Sequence, residues 1–326
     1  MSRAKLKLGF DNYSIRALGW KAPQLLDYAA SLRLDTVLFS DLDVYEDLSD
    51  AYLRKIKARA DDLGIEIQAG TGGICSQSSF FNPKWGSPEK LLKTTIRVAK
   101  VLGSSVARCF LGWVEDRPHF PARIDRVART CKAVRSYAMD SDVRIAIENH
   151  AGDMHSSELK QLIASAGPEY VGATMDSGNA VWSLEDPQSN LERLGSVARS
   201  TGIRDSAVWE TKDGAAFEWV AMGEGQVDWK AYFDLYAKIC PKTPVQLEII
   251  TGPARDVPYL KPEFWKVWPN LSASAFAPYA AHAKKGRPRK PYHTPKGLKA
   301  EQAWQRLQLE KSVRYCKKVL GLGLKK

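Results

Sequence analysis

The stretch Val143-Arg-Ile-Ala-Ile-Glu-Asn-His-Ala-Gly152 joins an apolar run to a polar end. Valine and the two isoleucines form a short run that is typical of a strand buried on both faces. The run stops abruptly at Glu148, Asn149 and His150. A parallel barrel presents such side chains at the C-terminal ends of its strands, where its active site lies. The stretch therefore predicts a barrel strand that carries part of a site.

Two further stretches repeat this arrangement. Val171-Gly-Ala-Thr-Met-Asp176 ends on an aspartate, and Pro244-Val-Gln-Leu-Glu248 carries a glutamate after an apolar run. Glu148, Asp176 and Glu248 are far apart in the chain, so their side chains converge only if the strands belong to one closed sheet. The pattern therefore favours a barrel over an open sheet.

Strand-like runs and amphipathic helical stretches alternate along the chain. The predicted strands are residues 7–12, 35–40, 65–69, 105–111, 143–148, 171–175, 197–203 and 245–250. The predicted helices between and after them are residues 22–32, 50–63, 87–102, 121–139, 156–166, 185–194, 228–239 and 300–320. Eight such alternations predict a single (β/α)₈ TIM barrel over about residues 5–250, with right-handed crossovers. We assign residues 1–255 to a barrel catalytic domain and residues 256–326 to a C-terminal extension.

Composition agrees with one large globular domain plus an appendage. The chain has 326 residues, of which 44% are hydrophobic, and no run approaches the length of a membrane span. The N-terminal residues lead directly into the first predicted strand, without an apolar signal segment. The five cysteines are scattered and form no CxxC pair, which predicts reduced thiols. We therefore expect a cytoplasmic protein without membrane association.

The net charge of +11 is concentrated in one segment. Residues 284–299 contain seven lysines and arginines and no acid, so much of the excess lies outside the barrel. Aromatic residues for stacking on bases are nearly absent there, and we do not expect a nucleic-acid partner. The segment is proline-rich and precedes a helix too short to be stable alone. We expect this C-terminal arm to pack on its own barrel or on a second subunit, and the protein to be a homo-oligomer.

The three acids on strand ends predict a divalent metal site. Clustered carboxylates repel one another unless a cation or shared protons neutralise them. Oxygen ligands suit Mg²⁺ or Mn²⁺. The alternative for each of Glu148, Asp176 and Glu248 is that it caps a neighbouring helix or pairs with an arginine.

Two other side chains near the predicted rim have both functional and structural interpretations. His150 lies two residues after Glu148 and faces the same side, where it could bind metal, act as a base or donate a hydrogen bond to substrate. The alternative is a histidine bonded to a neighbouring loop. Trp113 follows the fourth strand and could stack on a sugar ring, although loop tryptophans are more often packing residues.

The motifs IENH, MDSGN, RDSAVW, GEGQVDW and LEI, in this order, resemble the xylose isomerase-like barrel superfamily of sugar isomerases and epimerases. In that family a divalent metal is usually held by Glu, Asp, His and Glu. The resemblance implies that Glu148, Asp176 and Glu248 supply three of these ligands. Gly202 stands where the family has its histidine, which implies that water or His150 completes the shell or that metal binding is weak.

The resemblance also implies roles for nearby residues. Asn179 stands where many relatives have a substrate-binding histidine, and Arg204 and Asp205 form the end of the family's His-x-(Lys/Arg)-Asp motif. We count Trp113, Asn179, Arg204 and Asp205 as substrate-binding.

The implied function is metal-dependent isomerisation or epimerisation of a small sugar or keto-sugar through an enediolate. Glu148 and Glu248 would form the acid–base pair, and His150 would assist them. One alternative is a lyase or dehydratase that performs β-elimination on a keto-sugar or 3-keto glycoside. Another is a non-catalytic sugar-binding subunit. Related DNA-repair endonucleases use a trinuclear zinc site rich in histidine, which the five histidines of this chain do not suit.

Overall fold

The computed structural model describes residues 3–290, 292–293 and 295–325. The strands are β1 (Leu8–Asp11), β2 (Thr36–Phe39), β3 (Glu66–Gly73), β4 (Val106–Phe110), β5 (Arg144–Glu148), β6 (Val171–Asp176), β7 (Ala198–Gly202), β8 (Asp205–Thr211), β9 (Gly214–Val220), β10 (Val245–Leu247) and β11 (Arg255–Val257). The α-helices are α1 (Ala22–Ser31), α2 (Asp50–Asp62), α3 (Pro88–Leu102), α4 (Phe120–Ala133), α5 (Arg135–Asp140), α6 (Ser156–Ala166), α7 (Ser177–Trp182), α8 (Pro187–Leu194), α9 (Trp229–Ile239), α10 (Ala273–Lys285) and α11 (Leu298–Lys318).

Eight parallel strands form the predicted barrel. Their order is β10-β1-β2-β3-β4-β5-β6-β7, and every neighbouring pair is parallel. A parallel bridge between Ile203 and Leu247 joins the two ends of this order. The amide of Ile203 donates to the carbonyl oxygen of Gln246 at 2.8 Å, and its own carbonyl accepts from the amide of Glu248 at 3.0 Å. The barrel is therefore nearly closed, and all eight strands end on one face.

Local sequence signals explain where the helices begin and end. The hydroxyl of Ser87 accepts from the amide of Lys90, and Pro88 occupies the first turn of α3. Gly103 ends the same helix in the left-handed region, with φ of 72°. Such signals are local, so they are readable from sequence alone.

The clearest departure from the predicted elements is a second sheet after β7. Residues 205–220, for which neither a strand nor a helix was predicted, form an antiparallel hairpin of β8 and β9, to which β11 adds a third antiparallel strand. Phe217, Trp219 and Val257 are buried and give this sheet its own apolar cluster. The hairpin was missed because its strands are stabilised by packing against β11 and α10, which lie further along the chain.

Other boundaries also differ from the predictions. The predicted helix 121–139 is divided into α4 and α5 at Val134, and α7 precedes the helix predicted at 185–194. β3 continues to Gly73, four residues beyond the predicted end of the third strand at residue 69. These differences change element lengths without altering the order of the barrel strands.

The C-terminal helix α11 packs on its own barrel. Leu309, Val313 and Cys316 are buried in the same apolar core as the barrel strands. Beyond the helix, the amide of Gly323 donates to the carbonyl of Leu6 at 3.1 Å. The first of the two expected positions for the arm is thus observed. Of the basic connector, Pro291 and Thr294 lie outside the described residues.

Across the described ranges, none of the helices combines the length and the apolarity that crossing a bilayer requires. All five cysteines are buried and free.

Candidate active site

Three acidic side chains meet at the C-terminal end of the barrel. Glu148 is the last residue of β5, Asp176 is the last residue of β6, and Glu248 follows β10 directly. One carboxylate oxygen from each lies within 4.8 Å of those from the other two. All three side chains are buried. The expected convergence of these strand ends is therefore present in the structure.

A fourth acid, Asp11, ends β1 near this group and was not singled out in the sequence analysis. The hydroxyl of Ser40 donates to its Oδ1 at 2.6 Å. Burial, reinforced by the negative charge of Glu248, raises the pKa of Asp11 to about 8. A signal was available, because Asp11 closes the first strand in the same way as Asp176 closes the sixth.

Arg108 on β4 neutralises Glu148. Its Nε donates to Oε2 of Glu148 at 2.7 Å, and Nη2 contacts the same oxygen. Its Nη1 donates to the carbonyl of Thr71 at 3.1 Å, which fixes the guanidinium. A Cβ on Gly70 would lie 3.1 Å from Cβ of Arg108, so this glycine leaves room for the arginine. Arg108 was missed, although a charged residue inside an apolar strand was a usable signal.

Arg204 links the other two acids. Its Nε lies 3.3 Å from Oδ1 of Asp176, and its Nη2 contacts Oδ2 of the same residue. The same Nη2 donates to Oε2 of Glu248 at 2.6 Å. A Cβ on Gly178 would lie 2.2 Å from Cγ of Arg204, so Gly178 is needed for this side-chain position. Arg204 thus binds carboxylates in the structure, where the sequence analysis assigned it to substrate.

The structural alternatives considered for the acids are also realised. Asp176 caps α7, because its Oδ1 accepts from the amide of Asn179 at 2.7 Å. Glu148 accepts from the side-chain amide of Asn179 at 3.1 Å as well as from Arg108. The acids therefore have structural partners and still form one cluster.

The acids differ in their protonation. Burial raises the pKa of Glu148 to about 7, against the opposing charge of Arg108. Burial also raises the pKa of Asp176 well above its ordinary value, although Arg204 opposes this shift. Burial acts on Glu248 too, but Arg204 and Arg108 outweigh it and hold the pKa of Glu248 below its ordinary value. Glu248 is therefore the carboxylate that carries charge most readily.

The donor set suits a divalent cation. Within the described part of the chain, two guanidinium groups, those of Arg108 and Arg204, form ion pairs with this group of four buried carboxyl groups, so full ionisation leaves an excess of negative charge. Glu148, Asp176 and Glu248 each offer one oxygen at mutually close distances, and oxygen donors suit hard ions such as Mg²⁺ or Mn²⁺. This buried acidic triad could therefore hold a divalent metal. Among the described residues, no histidine belongs to the group.

His150 lies in the cavity wall above the acids. Its Nδ1 lies 2.5 Å from the carbonyl oxygen of Gly112, and its ring stacks on Phe110 with centroids 3.8 Å apart. Burial lowers the pKa of His150 to about 3, so the ring is neutral. A carbonyl can only accept, so Nδ1 carries the proton and Nε2 keeps a lone pair.

A cavity of about 430 Å³ opens onto this group, a size that suits a small organic molecule. Glu248, Arg108 and Arg204 form part of its lining. Its aromatic lining consists of Tyr13, Phe80, Phe110, Trp113, Trp182 and Trp219. A larger cavity of about 540 Å³ beside Arg117 contains none of the clustered acids.

The remaining predicted substrate-binding residues divide into two groups. Trp113 and Asn179 line the cavity. Asp205 does not, because its carboxylate accepts from the amides of Gly223 and Gly225 at 2.9 and 3.0 Å and shapes the loop after β9. Its placement therefore gives Asp205 a structural role.

Comparison with known proteins agrees with this architecture. The family described as xylose isomerase-like TIM barrel matches residues 26–261. A 3-oxo-isoapionate decarboxylase from Pectobacterium atrosepticum is 22% identical over 209 residues, which are 64% of this chain and 70% of the relative.

Two solved structures illustrate the similarity of fold. D-psicose 3-epimerase from Clostridium cellulolyticum H10, solved with D-tagatose, has a TM-score of 0.59 at 13% identity and covers 94% of this chain and 99% of its own. A xylose isomerase-like TIM barrel protein from Mycobacterium smegmatis, in complex with magnesium, has a TM-score of 0.58 at 12% identity, with coverages of 85% and 99%. The family match covers most of the chain, and the chain therefore belongs to the xylose isomerase-like TIM barrel family.

Proposed function

We propose that this protein is an isomerase or epimerase that acts on a sugar or keto-sugar through an enediolate. Family membership and the relatives support a sugar-modifying enzyme, without indicating which reaction it catalyses. The proposal of an isomerase or epimerase depends on the two glutamates Glu148 and Glu248. They belong to one buried cluster, and their surroundings push their pKa values in opposite directions.

In this mechanism Glu248 removes a proton from the carbon beside the substrate carbonyl. Arg204 and Arg108 hold Glu248 ionised, which keeps it ready as a base. Glu148, which takes up a proton near neutral pH, returns a proton to the opposite face of the same carbon in an epimerisation and to the former carbonyl carbon in an isomerisation. In the isomerisation the proton of the adjacent hydroxyl also passes to the former carbonyl oxygen, so that the carbonyl moves by one carbon. The two arginines also place positive charge beside the oxygen on which negative charge develops.

The rest of the cavity orients the substrate. Because Nδ1 of His150 carries the proton, Nε2 has a lone pair that can accept a hydrogen bond from a sugar hydroxyl. Trp113 is positioned by a hydrogen bond from its Nε1 to the hydroxyl of Ser79 at 3.1 Å, and it offers an aromatic face to a sugar ring. The aromatic lining also places apolar surface around the substrate.

Glu148, Asp176 and Glu248 would hold Mn²⁺ or Mg²⁺ in this proposal. Such an ion supplies Lewis acidity to a carbonyl oxygen when it is bound. Arg204 contacts two of the three carboxylates, and Gly202 contributes no ligand, so we expect weaker binding than a site with an imidazole would show.

A lyase is the second candidate, because the curated relative at 22% identity is a decarboxylase by name. In a β-elimination, proton removal is followed by loss of a β-substituent and uses the same base and the same stabilising charges. Loss of carbon dioxide from a 3-oxo acid forms the enolate directly, so it would use the stabilising charges and a proton donor but not the base. A 3-keto glycoside would lose its aglycone in this way. A third candidate is a sugar-binding subunit without activity. It would bind a sugar in the same cavity and transfer no proton.

Hydrogen exchange in deuterium oxide tests the proposal directly. Neutral keto-sugars, 3-keto glycosides and 3-oxo sugar acids are incubated with the protein, and NMR follows exchange of the carbon-bound proton and the products formed. We expect exchange with at least one class, with an isomer or epimer as product. E248Q should lower the rate by at least about 100-fold, because it removes the base.

E185Q is the matched control, since Glu185 is buried but belongs to a different cluster with Ser156 and Asn190. Aglycone release or loss of carbon dioxide would favour the lyase. Absence of both exchange and product formation with every class, in protein loaded with Mn²⁺, would contradict an enzymatic function.

A further inference from the structure

The sheet that follows the barrel brings an additional arginine to the cavity. β11 pairs with β9 in antiparallel register, with Arg255 opposite Phe217. Trp219 on β9 is anchored by a hydrogen bond from its Nε1 to the carbonyl of Gly178 at 2.8 Å. Trp182 comes from α7. Arg255, Trp182 and Trp219 all line the cavity that contains Glu248.

Arg255 is held against two aromatic rings. Its guanidinium carbon lies 4.8 Å from the ring centroid of Trp182 and 4.6 Å from that of Trp219. These contacts fix the position of the cation without using its hydrogen-bond donors. The aromatic rings therefore hold the guanidinium in place, and they leave its charge and its hydrogen-bond donors available.

Arg255 also lacks an anionic partner among the residues that the structure describes. No ion pair reaches it, and its Nη1 is buried without a hydrogen-bond partner. A buried donor without an acceptor is costly, and Nη1 is such a donor on a side chain that is otherwise half-buried. Such an arrangement is explained if the partner is a ligand.

The neighbouring charges make an anionic partner for Arg255 more favourable. Arg204 lies close enough to repel Arg255, and burial together with this repulsion lowers the pKa of Arg255. A guanidinium remains charged at neutral pH even so. The donors of Arg204 are occupied by Asp176 and Glu248, while Arg255 has none of these carboxylates. Among the residues that the structure describes, two arginines of the cavity lining therefore have no carboxylate partner, the exposed Arg16 and the more buried Arg255.

We propose that Arg255 binds an anionic group of the substrate, a carboxylate or a phosphoryl group, so that the substrate is an acidic or phosphorylated sugar. The planar guanidinium offers donors to two oxygens of such a group at once, which a neutral hydroxyl cannot match. This inference rests on the proposed function for the sugar part of the substrate. Its anionic part is argued from Arg255 alone.

Binding measurements test the proposal without requiring turnover. The probes are D-gluconate for the carboxylate, D-fructose 6-phosphate and inorganic phosphate for the phosphoryl group, and D-fructose as the neutral sugar. Titration calorimetry and the shift of the thermal midpoint are measured at matched ionic strength, because screening weakens exposed charges. We expect one anionic class to bind wild-type protein and D-fructose to bind at least 10-fold more weakly.

R255Q should lose that preference, with at least a 10-fold rise in the dissociation constant for the anion. R255K retains the charge and should bind the anion with intermediate strength. A graded loss of binding from wild type through R255K to R255Q separates loss of the charge from misfolding. R135Q is the control, because Arg135 forms an exposed pair with Glu169 outside the cavity. Preferential binding of D-gluconate identifies a carboxylate, and preferential binding of the phosphate probes identifies a phosphoryl group.

The proposal is wrong if no anion binds wild-type protein, or if R255Q binds the anion as well as R135Q does. These outcomes are separate from the exchange experiment on Glu248. Anion binding that depends on Arg255, without any proton exchange, would uphold the anion site and contradict the proposed enzymatic function. Exchange that is as fast with neutral keto-sugars as with 3-oxo sugar acids, and that R255Q leaves unchanged for both, would uphold the enzymatic function and contradict the anion site.

Discussion

A Cβ built on Gly202 would lie 2.7 Å from Oδ2 of Asp176. The position that the family resemblance assigns to a histidine ligand therefore faces the acidic triad directly. In this chain the guanidinium of Arg204 bridges Asp176 and Glu248 instead. Arg204 therefore contacts the same two carboxylates that an imidazole at position 202 would face.

Restoring an imidazole at this position should strengthen metal binding. G202H places a nitrogen ligand beside Asp176 and Glu248, and we expect a lower dissociation constant for Mn²⁺ by titration calorimetry. G202A is the matched control, because it introduces the same Cβ without a ligand and should destabilise the fold by about 1–3 kcal/mol through crowding. Equal Mn²⁺ affinity in G202H and wild type would show that position 202 is not a ligand position.

Removing the bridging arginine should expose the charge imbalance of the triad. R204Q leaves Asp176 and Glu248 buried without their cation, and we expect a loss of about 3–5 kcal/mol in the free energy of unfolding. Mn²⁺ should restore part of this loss, because it neutralises the same carboxylates. Urea unfolding with and without Mn²⁺ measures both effects. R135Q, which breaks only an exposed pair, should cost less than about 1 kcal/mol.

Asp205 should make stability depend on pH. Burial raises its pKa from 3.8 to about 6, so the folded state holds the proton more tightly than the unfolded state. Its contribution is fully present below about pH 4 and is lost as the pH rises through about 6. The unfolding free energy of wild type relative to D205N should therefore fall by up to about 3 kcal/mol over this window. A constant or rising difference in urea unfolding would contradict the assignment.

Helix α11 provides a matched pair of leucines for a stability test. Leu309 is fully buried in the barrel core, whereas Leu307 is 55% exposed. L309A should lower the free energy of unfolding by about 2–5 kcal/mol because it opens a cavity. L307A should change it by less than about 0.5 kcal/mol. Similar values for the two variants would mean that α11 does not pack on the barrel in solution.

The homo-oligomer expected from the sequence stays a prediction. Analytical ultracentrifugation of the full-length protein tests this prediction by measuring its mass in solution. We expect a mass above that of one chain. Truncation near residue 280 removes α11 and should also reduce solubility, since buried Leu309 and Val313 leave the core. A monomeric mass for the intact chain, with truncation leaving it soluble, would contradict both expectations.

The barrel could be predicted because its signals are local. Most barrel strands include a short apolar run, and most of the helices have caps that are encoded within a few residues, as Ser87 and Gly103 show for α3. Glu148, Asp176 and Glu248 could be singled out because each follows such a run. The barrel topology then required them to meet.

The sequence alone determined the strand–helix alternation, its closure into a barrel and the identity of the three acids. Only the tertiary structure decided their partners: Arg108 reaches Glu148 across 40 residues, and Arg204 reaches Glu248 across 44. It also decided that β11 places Arg255 between Trp182 and Trp219. The physical reason is that apolar periodicity is fixed by neighbouring residues, whereas the partner of a buried charge depends on which strands lie side by side and which glycines leave room.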